Sequence, residues 1–153
     1  MPETEPEIEP VVPAPWEYSL SVPNDPRAVT VSRRTLRLIL TMHGLIPLAD
    51  TAEPLATELI SNSGQHTKGP AALRVRWSAG ALRVGAWDAD PRPPGHPQSL
   101  DLLLDKEEGR GLALVEACAD AWGWQHLSGN GNRGKYVWFE LTSASVSAST
   151  SAA

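Results

Sequence analysis

The sequence predicts an α+β domain: a two-layer sandwich with helices on one face of a mixed, mostly antiparallel sheet of about five strands. Three observations predict it. Apolar and polar residues alternate in several short segments, as in strands with one buried face. Three other segments repeat apolar residues at helical spacing between recognisable start and stop signals. The order β-α-α-β-β-(long loop)-α-β-β joins most strands as hairpins, which favours an antiparallel sheet with segregated helices.

Trp16-Glu-Tyr18-Ser-Leu20-Ser-Val22 alternates strictly and ends at Pro23. Asp25-Pro26 supplies a cap and a proline for a first helix carrying Val29, Leu36, Ile39, Leu40 and His43, stopped by Gly44 and Pro47. Asp50-Thr-Ala-Glu53 resembles a capping box for a second helix from about Thr51 to Gln65. Leu73, Val75 and Trp77 alternate with arginines, as do Leu82, Val84 and Ala86 after Ser78-Ala79-Gly80, which reads as a hairpin. Residues 89–108 are a long Pro-rich excursion with a short helix at Ser99–Asp105. Gly109-Arg-Gly111 opens a helix whose stripe is Leu112, Val115, Ala119 and Trp122. Trp124–Leu127 and Lys135–Leu141 are the last strands, joined through Gly129–Gly134.

Composition bounds the rest. The 153 residues include 14 prolines, five of them within residues 1–15 and four within 91–97, where neither helix nor inner strand can run. Residues 1–15 read as a disordered acidic arm (Glu3, Glu5, Glu7, Glu9), 16–141 as one domain, and 142–153 as a disordered Ser/Ala tail. Four of the five net negative charges lie in the arm, so the body is near neutral and carries no basic footprint for nucleic acid. No apolar run approaches the ~20 residues of a membrane span. An acidic N-terminus is no signal peptide, and a cytoplasmic location follows as the default. The single cysteine, Cys118, excludes an internal disulfide framework and reads as core among Ala117 and Ala119.

Three groups of residues could carry chemistry. Glu58 and Asn62 lie about 40° apart on the second helix, with Leu55, Leu59 and His66 in the same arc. They read either as a solvated pair or as oxygen donors aimed into a cleft, where a hard cation such as Mg²⁺ would complete its shell with waters and phosphates. A histidine in such a place packs or caps by default. Asp88 shares strand parity with Leu82, Val84 and Ala86, so it points to the helix-covered face and needs hydrogen-bond partners there. It either caps a local turn through Asp90 or accepts from a ligand's amino group. Gly109-Arg110-Gly111-Leu112 stands at a helix start, where backbone N–H groups favour an anion.

These pieces occur in an order that resembles the Bergerat ATP-binding fold of the histidine-kinase-like ATPases, and more closely the small anti-sigma factors that are also serine protein kinases. Glu58-Leu-Ile-Ser-Asn62-Ser-Gly-Gln-His66-Thr67 is similar to the N box. Trp87-Asp88-Ala-Asp90-Pro-Arg-Pro93 is similar to the first glycine box, and Gly109-Arg-Gly111-Leu112-Ala-Leu-Val115, continuing to Gly123, to the second. Gly134-Lys-Tyr-Val-Trp138 is similar to the final strand.

The resemblance, over residues 16–141, implies ATP and Mg²⁺ as cofactors. It makes Glu58 the general base, Asn62 the Mg²⁺ ligand and Asp88 the acceptor for the adenine amino group. It groups His66, Asp90, Gly109, Arg110, Gly111 and Leu112 around the nucleotide and makes 89–108 the ATP lid. The implied partners are a sigma factor and an anti-sigma-antagonist protein, whose serine is phosphorylated; some relatives form homodimers. The chain departs from the pattern at Asp90 and Arg92, where the wider superfamily has glycines, and at Lys135-Tyr136, where Tyr136 replaces a threonine. These departures define the alternative: a non-catalytic, nucleotide-responsive module that sequesters a sigma factor or antagonist. A third reading takes Arg74, Arg76 and Arg83 as the open side of the sheet, solvated charges on a face available for protein contact.

Overall fold

A computed structural model describes residues 14–66, 70–90, 94, 110–129 and 132–142. The strands are β1 (Trp16–Val22), β2 (Ala71–Ser78), β3 (Ala81–Asp88), β4 (Ala121–Gly129) and β5 (Asn132–Thr142). The helices are α1 (Arg27–Met42), α2 (Ile46–His66) and α3 (Arg110–Cys118). The strands form one open sheet in the order β1-β2-β3-β5-β4, and every pairing is antiparallel. The fold is therefore α+β, with the helices layered on one face.

Strand parity builds the core. Leu73, Val75, Leu82, Val84, Ala86, Val137, Phe139 and Leu141 all turn to one face and are buried there. α2 covers that face with Leu48, Ala52, Leu55, Ala56, Leu59 and Ile60, α1 adds Leu36, Ile39 and Leu40, and α3 adds Leu112 and Val115. Phe139, at 0 % exposure, lies between the layers.

The local signals explain most boundaries. Asp25 Oδ1 accepts the Arg27 N–H at 2.8 Å, and the Arg27 side chain also holds this carboxylate; together they bring its pKa to about 2. α1 therefore starts one residue after the proline expected to open it. At the other end Leu45 N–H bonds the Leu40 carbonyl and Gly44 N–H the Thr41 carbonyl, with Gly44 at φ 72°: a Schellman termination. Ala79 (φ 53°) and Gly80 (φ 79°) make the tight β2–β3 turn, whose two positive dihedrals match the strand twist.

Several expectations are corrected. α2 starts at Ile46, a turn before the apparent capping box. The Schellman turn delivers the chain straight into a new helix, and Pro47 sits in its first turn, where no N–H is required. Asp50 and Glu53 serve another purpose: Arg37 of α1 donates to both, at 3.0 and 2.6 Å. Pro54 then falls inside the helix. Trp122 is not on the stripe of α3, because β4 begins at Ala121; Asp120 opens the ladder by donating its N–H to the Glu140 carbonyl.

The last two strands are longer than predicted and pair as far as Gly129↔Asn132. Gly134 is thus a strand residue, pressed so closely on the Asp88 carbonyl and the Trp87 indole that a β-carbon would collide with both. Thr142 belongs to β5 and not to the tail; its N–H bonds Asp120. Cys118 is exposed, since the buried side of α3 is Leu112 and Val115. The expected helix at 99–105 lies outside the described residues.

Candidate functional site

The register lines up one end of the sandwich. Val22 pairs with Ala71, Ala71 with Asp88, and Asp88 with Lys135. The C-terminal half of α2 reaches this end, for Ile60 and Ser61 line a cavity of about 130 Å³ together with Val22, Asp25, Pro26 and Ala71. Glu58 and Asn62 belong to this half of α2 and are both half-buried, and their side chains make neither a hydrogen bond nor an ion pair with the other described residues. α3 ends at the opposite end of the strands, where Ala119 and Asp120 lead into the Glu140 row. The end of β3 and the C-terminal half of α2 thus lie at one end of the sandwich.

Asp88 is the best-defined group there. It is 2 % exposed, on the helix-covered face, as its parity requires. Its Oδ1 accepts two hydrogen bonds: the Asp90 N–H at 2.9 Å and the Lys135 ammonium at 3.0 Å. Lys135, 5 % exposed, also donates to the Asp90 carbonyl at 3.3 Å. The turn-capping reading of Asp88 is therefore realised, with a buried ion pair added to it. Burying two charges is costly unless they are paired and their remaining donors and acceptors are satisfied. Here one ammonium bridges the carboxylate and a backbone oxygen and pins the β3 exit to β5.

Lys135 is the site residue that sequence reasoning missed. Its signal was available: it shares parity with Val137, Phe139 and Leu141 and so had to point inward. Tyr136, one of the departures from the resembled pattern, faces the other way. Its ring lies over Gly85 on the open face, where only a glycine leaves room. Burial pushes its hydroxyl above the ordinary 10.0, against the pull of Arg74 and Arg83. The neighbouring position that turns toward the helices, beside Asp88, is Lys135.

The other predicted residues divide. Asp90 is buried beside Asp88, and Leu112 is 2 % exposed and serves the core. Arg110 and Gly111 form the first residues of α3, and His66 the last of α2, with side chains outside the described part. Gly109, Arg92 and nearly all of 89–108 lie outside the described residues. No cluster of three His, Cys, Asp or Glu side chains that could hold a metal occurs among the described residues. The donors present, the Asn62 amide oxygen and the Glu58 carboxylate one turn away, suit a hard cation held mostly by phosphate and water oxygens. No described helix is long and apolar enough to cross a membrane.

No family model matches the chain. An uncharacterized protein of Streptomyces coelicolor is 44 % identical over 69 residues, which is 44 % of this chain and 62 % of the relative. The chain thus spans less than two thirds of the curated protein to which it is similar.

Proposed function

We propose that the chain is a cytoplasmic regulatory protein of the histidine-kinase-like ATPase type, which binds ATP–Mg²⁺ and phosphorylates a serine of an anti-sigma-antagonist protein. The observation that supports this reading is the common position of Asp88 and the half of α2 that carries Glu58 and Asn62, at one end of the sandwich. ATP supplies the transferable phosphoryl group, and Mg²⁺ neutralises charge on its phosphates. Asp88 accepts from the purine amino group through the oxygen that Lys135 leaves open. Asn62 would offer its amide oxygen to the cation, and the first N–H groups of α3 would favour the charge of the phosphates. Glu58 takes the proton of the attacking hydroxyl.

Titration calorimetry with ATP–Mg²⁺ tests the site. Asn62→Ala and Asp88→Asn should each weaken binding at least tenfold while circular dichroism shows a folded chain. Unchanged affinity in both overturns the assignment. Glu58→Gln should bind ATP normally and lose phosphoryl transfer to a cognate antagonist; normal transfer removes Glu58 from its role.

The Lys135–Asp88 pair supports a second reading. The chain's own ammonium already occupies the carboxylate that a ligand's amino group would use. On this reading the domain is a non-catalytic module that binds a sigma factor or antagonist, and nucleotide is at most a conformational ligand. ATP binding without transfer to any candidate antagonist selects it over the kinase.

A further inference from the structure

The open face of the sheet is built as a surface in its own right. On it lie Glu17 and Ser19 of β1, Arg74 and Arg76 of β2, Arg83 and Gly85 of β3, Tyr136, Trp138 and Glu140 of β5, and Gly123 of β4. Two glycines let aromatic rings lie flat across it: Tyr136 covers Gly85, and Trp138 covers Gly123, where a β-carbon would stand 2.8 Å from the indole. Arg83 stacks on Trp138 at 4.0 Å and pairs with Glu140 at 2.7 Å; Arg74 pairs with Glu17 at 2.8 Å. Arg76 has no ion-pair partner among the described residues. Beside it opens a cavity of about 220 Å³, lined by Arg76, Ser78, Ala81, Arg83 and Glu140. The face therefore combines flat rings with three guanidinium groups against two carboxylates.

We infer that the N-terminal segment of this same chain, residues 2–13, docks across this face. Three observations carry the inference. The first is position: β1 enters at Trp16, opposite Trp77, and Glu17 stands opposite Arg76, so the chain arrives at the cavity's edge of the sheet.

The second is reach. Thirteen residues precede the described part, and an extended or polyproline chain of that length spans about 40 Å. From β1 to Trp138 on β5 is three strand spacings, about 14 Å.

The third is chemistry. Glu3, Glu5, Glu7 and Glu9 alternate with Pro2, Thr4, Pro6, Ile8 and Pro10. An extended backbone thus carries all four carboxylates on one side, about 6.6 Å apart, the same i, i+2 spacing that separates Arg74 from Arg76. Pro10-Val-Val-Pro13 adds the proline spacing that aromatic surfaces take up. Carboxylates over Arg76 and Arg83 answer the guanidinium excess of the surface. The segment is then an internal competitor for any acidic partner of this face.

Paramagnetic relaxation in the full chain tests the contact. Cys118→Ser removes the native thiol and Thr4→Cys places a nitroxide on the segment. At low salt the amide signals of Arg76, Ser78, Ala81, Arg83 and Trp138 should lose at least about half their intensity, and those of Asp88 and Lys135, at the far end of the strands, should keep theirs. The effect should vanish near 0.5 M NaCl, where charges beyond a few ångströms are screened. Arg76→Glu in the same background should abolish the broadening with the spectrum otherwise folded. Uniform broadening, none on this face, or persistence in Arg76→Glu overturns the inference. So does equal broadening when the nitroxide is carried only by isotopically unlabelled chains mixed with labelled ones, since the segment would then dock on another copy.

Discussion

β3 and β5 hold two ion pairs built by the same device and placed in opposite environments. Asp88 stands opposite Lys135 at one end of the strand pair, and Arg83 stands opposite Glu140 near the other. Parity separates them. Position 88 faces the helices and position 83 faces away, so the first pair is almost wholly buried and the side chains of the second are 36 % and 27 % exposed. A cross-strand neighbour is thus a geometric fact, and its energetic meaning comes from the layer above it. The buried pair has to be complete; the open pair can exchange either partner for water.

The largest expected effect follows from breaking the buried pair on one side only. Lys135→Met leaves the Asp88 carboxylate without its cation and the Asp90 carbonyl without that donor. An uncompensated buried charge costs about 3–5 kcal/mol. Urea unfolding should show a loss of that size. Adding Asp88→Asn to Lys135→Met should recover part of it, because a neutral amide is cheaper to bury than a lone carboxylate. If the double variant is no more stable than Lys135→Met, the ion pair is not the reason for the loss.

A smaller effect probes the open face. Gly85→Ala puts a methyl group into the Tyr136 ring, which must lift from the sheet. Forced repacking of this kind costs about 1–3 kcal/mol. It should also expose the Tyr136 hydroxyl and lower its titration toward the ordinary value. In the wild type the folded state holds that proton more tightly than the unfolded chain. Its share of stability is therefore complete below the unfolded value near 10 and declines as pH rises above it. Tyr136→Phe should remove this alkaline decline from the pH–stability curve.

The sequence made the sheet legible for a physical reason. Period-two alternation is forced wherever one face is buried, so Leu73 to Trp77 and Leu82 to Asp88 declared both their strands and their inward side. The missed features depend on contacts distant in sequence. Nothing local distinguishes Asp50-Thr-Ala-Glu53 as a partner of Arg37 from a capping box, because the choice is made by α1 packing alongside. Gly134 reads as a loop glycine until β3 is laid against it. Lys135 was open to the parity argument, yet a lysine's usual exposure spoke against it. At the candidate site, Asp88 and the Glu58–Asn62 stripe could be read from periodicity, whereas the group that fills Asp88's coordination could be seen only once β5 was placed beside β3.

The smallest expected effect is the most discriminating test of the contrast between the two pairs. A double-mutant cycle on Arg83→Gln and Glu140→Gln isolates the open pair, and exposed pairs of this kind contribute about 0.2–1 kcal/mol. Arg83 also lies on the Trp138 ring, so Arg83→Gln alone should cost more than Glu140→Gln alone, the difference being its cation–π contact. Salt should shrink the coupling between Arg83 and Glu140 but leave the stacking part nearly unchanged. A coupling energy in this cycle as large as the loss in Lys135→Met would mean that the layer above a cross-strand pair does not set its energy. Distance would then matter more than burial, and the open face would be as tightly specified as the core.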